Sequence, residues 1–397
     1  MVLKFPTMTE PDGRTLGDEE VAAAQRVIRS GMLNSVWGTE ARALERAMSE
    51  LYGSGHAIAC SSGTAALHLA VVAAAPDPGD EVITTPITDF GTVAPILAQN
   101  AVPVFADVDP SDGNLDPAAV ARLIGPRTRA ILAVHLFGAS ARIAELRALA
   151  ADRGLALIED CAQAWLTTTP GGEPVGRNGL VGCFSLQQWK HITCGDGGLV
   201  ITDDDEAARR MRLFADKGWD RAAGRSHVGL GLNYRMTELS AAVAGAQLAK
   251  LPGVVAARRR TAEALVEALR GLPGVVLPRV TGHAWWLFPL ILPGGGAPAL
   301  AARLREAGIP ATAGYLEQPL NHAPVWDGPL YGTSRYPLTG TGSPGDASCP
   351  HAERLVSDTL LVVNWNENYT DEHVKAVAGA LTDALSDAQP GERGPIA

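Results

Sequence analysis

The chain has 397 residues, 46% of them hydrophobic and 19% charged, the make-up of a globular protein with apolar material for a sizeable core and length for two packed regions. A formal net charge of −10 argues against a nucleic-acid or anionic-membrane surface, since both need basic patches. The N-terminus MVLKFPTMTE lacks the apolar core of a signal peptide, and no stretch reads as purely apolar over a membrane-spanning length, so a cytoplasmic location is expected.

From about residue 55 to 205, short apolar runs alternate with helical stretches, the signature of a parallel or mixed sheet with helices on both faces. The expected strands are HAIAC, DEVITT, VPVFADV, RAILAVHL, ALIED, GCFSL and GGLVIT, rich in Val, Ile and Leu as covered strands are. Alanine-rich helices follow over roughly 205–217 and 237–270. In the second of these, Arg258-Arg259-Arg260 reads as a solvated face. Beyond Pro273 the texture changes: WWLFPLILP reads as a strand, ALAARLREAGI as a helix and HVKAVAGALTDAL as a closing amphipathic helix. The expected division is a large α/β domain over 1–255 and a smaller α+β domain over 256–397. The Gly/Pro/Ser-rich stretch 327–350 reads as a long surface loop. Cys60, Cys161, Cys183, Cys194 and Cys349 form no CxxC pair, so free thiols are expected, with no disulfide framework and no metal.

Ligands of open α/β sheets bind at the carboxyl ends of the strands, and four such positions stand out. Ser61-Ser62-Gly63-Thr64 follows HAIAC and opens a helix; its small residues, hydroxyls and free N–H groups suit a phosphate, and serve equally as an ordinary N-cap turn. Asp160 ends the strand ALIED, where an acid can pair with a protonated ring nitrogen, bind a ribose or metal, or cap a turn. Lys190 stands between an apolar strand and a glycine-rich turn, where desolvation would make it nucleophilic; a solvated loop lysine is the plain alternative. Ser185, just before it, can reach the same anion as Thr64. Gly231-Leu232-Asn233-Tyr234-Arg235-Met236-Thr237-Glu238 opens the long helix. Capping accounts for Thr237 but not for Asn233 or Arg235.

Through SSGTAALHLA, EVITTPITDFGTVAPIL, PVFADVDP, IEDCAQA, FSLQQWKHITCGDGG and GLNYRMTELSAAVAGAQL, in that order, the sequence resembles the DegT/DnrJ/StrS family of sugar and cyclitol aminotransferases that depend on pyridoxal 5'-phosphate (PLP). The resemblance runs through nearly the whole chain. It implies PLP fold type I, the aspartate-aminotransferase-like architecture, and a homodimer with its active site at the interface. It implies Lys190 as the Schiff-base lysine and proton carrier, Asp160 as partner of the pyridinium nitrogen, and Gln163 as a contact of the cofactor's O3' hydroxyl. Gly63, Thr64 and Ser185 match phosphate ligands, and Asn233 matches one reaching across from the partner subunit. Phe90 matches the aromatic ring stacked on the pyridine, a core phenylalanine being the alternative. Two departures leave substrate identity open: Gly195-Asp196-Gly197-Gly198 stands for the family's Gly-Glu-Gly-Gly, and Asp89 replaces a threonine or similar residue.

The implied reaction is ping-pong transfer of an amino group from glutamate or glutamine to a keto-sugar, nucleotide-linked or in a glycoside, or to a keto-cyclitol. By position alone, Tyr315, His322, Trp326 and Arg335 are expected to help line the acceptor half-site. A sugar dehydratase on the same fold would carry histidine in place of Lys190, with His191 adjacent. A non-catalytic regulator would lack Lys190 or Asp160. An NAD-dependent oxidoreductase would need a GxGxxG turn in a first βα unit, and Gly229-Leu230-Gly231 lies too far along the chain. Richness in alanine, arginine and glycine matches a high-GC bacterial gene product, an association that suits amino-sugar or aminocyclitol antibiotic biosynthesis.

Overall fold

The computed structural model describes residues 3–387, apart from positions 222, 225 and 339–341. Two helices precede the sheet, α1 (Asp18–Ser30) and α2 (Glu40–Tyr52). Each buries one face: Ala23 and Val27 of α1 meet Ala242, and Ala41, Leu44, Met48 and Tyr52 of α2 enter the core beneath the sheet. Both stop at a glycine in left-handed conformation, Gly31 and Gly53.

The expected strands appear as β1 (His56–Cys60), β2 (Glu81–Thr84), β3 (Val102–Phe105), β4 (Thr128–Val134), β5 (Ala156–Asp160), β6 (Val181–Ser185) and β7 (Gly198–Thr202). They form one sheet in the order β1-β7-β6-β5-β4-β2-β3. Strands β2 to β6 are parallel, and β7 runs antiparallel to both β6 and β1. Helices cover both faces, as the unbroken apolar runs require. One face packs on α3 (Gly63–Ala74) and α7 (Asp205–Ala215). The other carries α5 (Pro117–Leu123) and α6 (Ile143–Arg153) at one side, and α2 with α8 (Glu238–Ala268) at the other. The short α4 (Ala94–Ala98) joins β2 to β3, and β8 (Trp219–Asp220) pairs with β9 (Ser226–His227) in a two-residue ladder.

Past α8 a second, antiparallel sheet forms in the order β10-β12-β11, from β10 (Leu287–Ile291), β11 (Ala311–Ala313) and β12 (Leu360–Asn364). The helices α9 (Ala297–Glu306) and α11 (Asp371–Asp387) close over it around Trp285, Phe288, Trp365 and Tyr369, and α10 (Pro350–Arg354) precedes β12. Phe5, near the N-terminus, is buried in this same second core. The 327–350 stretch holds a short helical turn, Pro344–Asp346; its positions 339–341 lie outside the described residues.

Helix α8 corrects two expectations. It is long and apolar enough to cross a membrane by length and composition, but it is the core helix that joins the two regions. Leu251, Val254 and Val255 face the large-sheet core, whereas Ala262, Leu265 and Val266 face the small-sheet core. Where it passes between them, Arg258 is fully buried, not solvated. Its Nη1 donates to the carbonyls of Trp285, Trp286 and Trp365, and Nη2 lies 2.6 Å from Glu367 Oε2. Carbonyls converging at strand ends need a donor set, and a paired guanidinium supplies one. Only Arg260 of the run is exposed, beside Asp371.

Candidate active site

Strand register gathers the first pieces. Gly198 of β7 lies opposite both Cys60 of β1 and Ser185 of β6, so the turn that begins α3 and the end of β6 meet at one level of the sheet. Ser62 caps α3, its Oγ accepting from the amide of Ala65 at 3.0 Å. Gly63 then passes so near β6 that a Cβ there would stand 2.7 Å from Ser185 Cβ, and a Cβ on Gly91 would stand 2.7 Å from Thr64 Oγ1. Glycine at both positions leaves a small hollow at the N-terminus of a 12-residue helix, with hydroxyls at its rim.

Asp160, 4% exposed, ends β5 beside β6. Its Oδ1 accepts from the amide of Ala162 at 3.0 Å, and its Oδ2 from the Thr92 hydroxyl at 2.9 Å. Thr92 accepts in turn from Thr88 at 2.7 Å, because its own proton is committed to the carboxylate. Burial raises the carboxyl's pKa, against the lowering pull of Ala162, Lys190 and Thr92. Lys190 follows on the turn after β6, its Nζ 4.3 Å from the centre of the Trp286 ring. Desolvation lowers its pKa, and the carboxylates of Asp160 and Asp89 oppose that.

These groups share one cavity of about 330 Å³, lined by Gly63, Thr64, Asp160, Ser185 and Lys190 together with Leu67, Asp89, Thr92, Trp189, Asp196, Trp286 and Tyr315. Larger clefts of about 430 and 400 Å³ open elsewhere, but neither contains the lysine or the buried acid. Three expected contacts are not among this cavity's lining residues in the single chain. Gln163 lies behind the wall, its Oε1 accepting from Phe137 N at 2.7 Å and its Nε2 donating to Tyr315 OH at 3.3 Å. The Phe90 ring packs at 6.3 Å against Trp326, while its neighbours Asp89 and Gly91 face the cavity. Asn233 is exposed on the strip before α8, a strip tied to β1 by the bond from Ser61 N to Tyr234 O and by the bridge between Cys60 and Arg235.

Of the residues expected to line an acceptor half-site, Tyr315 does so. The other three hold the surrounding loop: Trp326 is buried and donates to Leu320 O, Arg335 donates to Trp326 O, and His322 pairs with Glu353. His191 faces away from the cavity, fully buried with Nε2 bonded to Ala284 O at 2.9 Å. His135, Glu159 and Cys161 cluster closely enough for a metal. However, Ala141 N donates to His135 Nδ1, so Nε2 carries the proton and donates to Glu159, whose oxygens take further N–H bonds from Gly176, Asn178 and Gly179. The cluster is thereby closed by hydrogen bonds. All five cysteines are free. Trp286 carries no motif of its own in the sequence; Thr92 falls within PITDFGT and Trp189 within FSLQQWK, where the resemblance could have marked them.

The family model of the DegT/DnrJ/EryC1/StrS aminotransferases matches residues 14–382. The chain belongs to that family. It is a PLP-dependent aminotransferase of fold type I. Its fold is similar to that of an aminotransferase from Psychrobacter cryohalolentis (28% identity over 94% of this chain and 98% of that one, TM-score 0.84). It is also similar to 3-amino-5-hydroxybenzoic acid synthase (29%, 97% and 99%, TM-score 0.84) and to the sugar aminotransferase CalS13 from Micromonospora echinospora (28%, 93% and 98%, TM-score 0.82).

The cavity of this aminotransferase fits the cofactor in three independent respects. The glycine hollow between Gly63 and Ser185 has room that a Cβ would fill, and it lies at a helix N-terminus, where a phosphate is favoured. The buried Asp160 lines the same cavity as Lys190, and its carboxylate suits a protonated ring nitrogen. The lysine stands in the same cavity, desolvated towards its neutral, nucleophilic form.

Proposed function

We propose that this enzyme transfers an amino group from glutamate or glutamine to the ketone carbon of a sugar, nucleotide-linked or in a glycoside, or of a cyclitol, in the cytoplasm, within amino-sugar or aminocyclitol biosynthesis that includes antibiotics. The single observation that carries the reading is the joint placement of Lys190 and Asp160 in the cavity that also holds the Gly63–Ser185 hollow. The sugar aminotransferase CalS13 and the aromatic-amine synthase among its structural relatives support a polar cyclic ketone as acceptor.

Bound PLP supplies an electron sink for the negative charge that develops at the reacting carbon. Lys190 would hold the cofactor covalently and, as a free amine, would take up and give back the proton at its Nζ, which lies over the Trp286 ring. Asp160 would pair with the ring nitrogen, its carboxylate supported by Ala162 and Thr92. Gly63, Thr64 and Ser185 take the phosphate. Gln163 would act on the O3' side through its link with Tyr315, Asn233 would serve the partner's site, and Phe90, whose ring packs on Trp326 in the single chain, is the candidate to flank the pyridine. Exposed Leu33, Trp37, Leu230 and Leu232, near Asn233 in the chain or across the strip, support burial against a second copy in a homodimer. The passage of α8 from one core to the other supports a division near residue 255, with Phe5 of the N-terminal segment packing in the second core.

Spectroscopy of the two half-reactions tests the proposal. Protein supplied with PLP should show the visible band of the lysine-bound cofactor, lose it on mixing with glutamate or glutamine, and regain it with the acceptor ketone. Survival of the band unchanged in Lys190→Ala, or its absence in the native protein, would overturn the reading.

A further inference from the structure

The N-terminal segment crosses behind the lysine turn as a strap tied at both ends. Asn366 Nδ2 donates to Gly13 O and Asn368 Nδ2 to Asp12 O, each at 2.9 Å, fixing it to the small region. Gln188 Nε2 donates to Met8 O at 3.1 Å, fixing it to the lysine turn. Within the strap, Gly13 folds so closely onto Thr7 that a Cβ would stand 1.8 Å from the Thr7 carbonyl oxygen, so the segment's shape is narrowly set.

Arg14, next in the chain, is 7% exposed. Its Nη1 donates to the carbonyl of Lys190 at 2.9 Å. Its Nε and Nη2 have no hydrogen-bond partner among the described residues, nor has Oε1 of Glu367, the acid whose charge acts on Arg14 and whose Oε2 is taken by Arg258. A buried cation with two of its three nitrogens unmatched is costly, and a shorter neutral residue would remove that cost. The bond it does make falls on the main chain of the reactive lysine. Lys190's amide is committed locally, to Gln187 O at 2.9 Å, so its carbonyl is the handle left for an outside anchor. Trp286 steadies the other end of the same residue, beneath Nζ.

We infer that Arg14 is a positioning residue: from outside the cavity it fixes the main chain of Lys190, so that Nζ sweeps between cofactor and substrate from a constant pivot. The inference rests on the role proposed above for Lys190. The test uses Arg14→Met, close in length but unable to donate, and Arg14→Lys. In cofactor-free protein, backbone hydrogen exchange around 188–192 should quicken at least about tenfold in Arg14→Met, with β5 and α3 unchanged. In PLP-loaded protein, the single-turnover rate with the amino donor should fall at least about tenfold while the donor's half-saturating concentration moves less than about threefold, and Arg14→Lys should recover part of the rate. Unchanged exchange and rate in Arg14→Met overturn the inference, as does a loss of protection spread over the whole chain. Should Arg14→Met fail to fold, Arg14→Lys decides by whether its exchange change is confined to the lysine turn. If native protein binds no PLP, the proposed function fails, whereas the exchange measurement still reads Arg14's hold on the turn.

Discussion

Replacing Thr92 by valine keeps the branched shape and deletes the hydroxyl that donates to Asp160 Oδ2 at 2.9 Å. Asp160 is buried, with only the Ala162 amide as its other hydrogen-bond donor among the described residues. A hydrogen bond to a charged group contributes about 1.5–3 kcal/mol. Thr88, whose hydroxyl gives its proton to Thr92, loses its acceptor as well. If the ionised carboxylate is what keeps the ring nitrogen protonated, the loss falls on the transition state, and 1.36 kcal/mol per factor of ten converts it to a slowing of roughly 10- to 150-fold. The assay is stopped-flow decay of the visible band with saturating donor. The sign of the pH effect is fixed too. Burial already raises the Asp160 pKa and Thr92 opposes that, so Thr92→Val moves the acid limb of the rate profile to higher pH. Thr92→Ser, which restores the hydroxyl, should leave it in place. A Thr92→Val rate within twofold of native would refute the hydrogen-bond argument, and Thr92→Ser as slow as Thr92→Val would refute it and leave packing as the cause.

Three further outcomes are expected. Gly63→Ala places a Cβ 2.7 Å from Ser185 Cβ and should weaken PLP binding at least about tenfold, some 1.4 kcal/mol; fluorescence titration of Gly63→Ala, Ser185→Gly and the double variant should show strong non-additivity. In Glu159→Gln the buried acceptor of His135, Gly176, Asn178 and Gly179 loses its charge, at a cost of about 3–5 kcal/mol in urea unfolding. Burial alone would raise the Glu159 pKa, but these donors hold it below 4.5; its stabilisation is therefore full above pH 4.5, and the gap to the variant should narrow only as pH falls beneath that value. Burial, with Arg259 and Arg279 nearby, pushes His283 down to about 3 from 6.5. The folded protein then binds fewer protons than the unfolded chain between those values, and acidification below pH 6.5 costs about 1.4 kcal/mol per unit. His283→Gln should flatten that slope in urea midpoints taken from pH 7 to 5, and an unaltered slope would contradict it.

The seven strands of the large sheet were legible because covered parallel strands are written as unbroken apolar runs, whereas their order was not. β7 reverses in a local hairpin with β6, but the pairing that brings β1 beside it joins residues more than a hundred apart. Helices α1 and α2 each bury only a narrow stripe, and both are rich in charge, so neither stands out as α8 does. The triplet Ala311–Ala313 is too short to announce a strand. Arg258 misled for a physical reason: a run of three arginines reads as a wet face, yet a 31-residue helix that passes between two cores must turn some part of every face inward. In the cavity, Gly63, Thr64, Asp160, Ser185 and Lys190 could be named from their places after apolar strands. Trp286 and Arg14 could not, since each acts through a neighbour brought close only by the fold.

Register explains why the named residues meet. Strands β6 and β7 form a hairpin whose connection, residues 186–197, arches over the carboxyl ends of β5 and β6. Leu186 locks the arch at its base: its amide donates to Gly197 O at 2.8 Å, and its carbonyl accepts from Cys194 N and Thr193 Oγ1, both at 3.1 Å. Gly197 can sit there because a Cβ would come within 2.6 Å of Cys194 Sγ, a closeness no side chain tolerates. An antiparallel return is what keeps the arch at this end of the sheet, since a parallel β6–β7 pair would need a crossover, usually a helix, that carries the chain back to the opposite end and away from the site. The distance between Lys190 and Asp160 is therefore a property of the sheet. Asp89 and Asp196, exposed at the cavity rim, are not built into it in that way. Substitutions at these two carboxylates are thus the ones expected to change acceptor preference while the visible band of the lysine-bound cofactor stays intact, and a loss of that band in Asp89→Thr would show that the rim and the lysine are not separable.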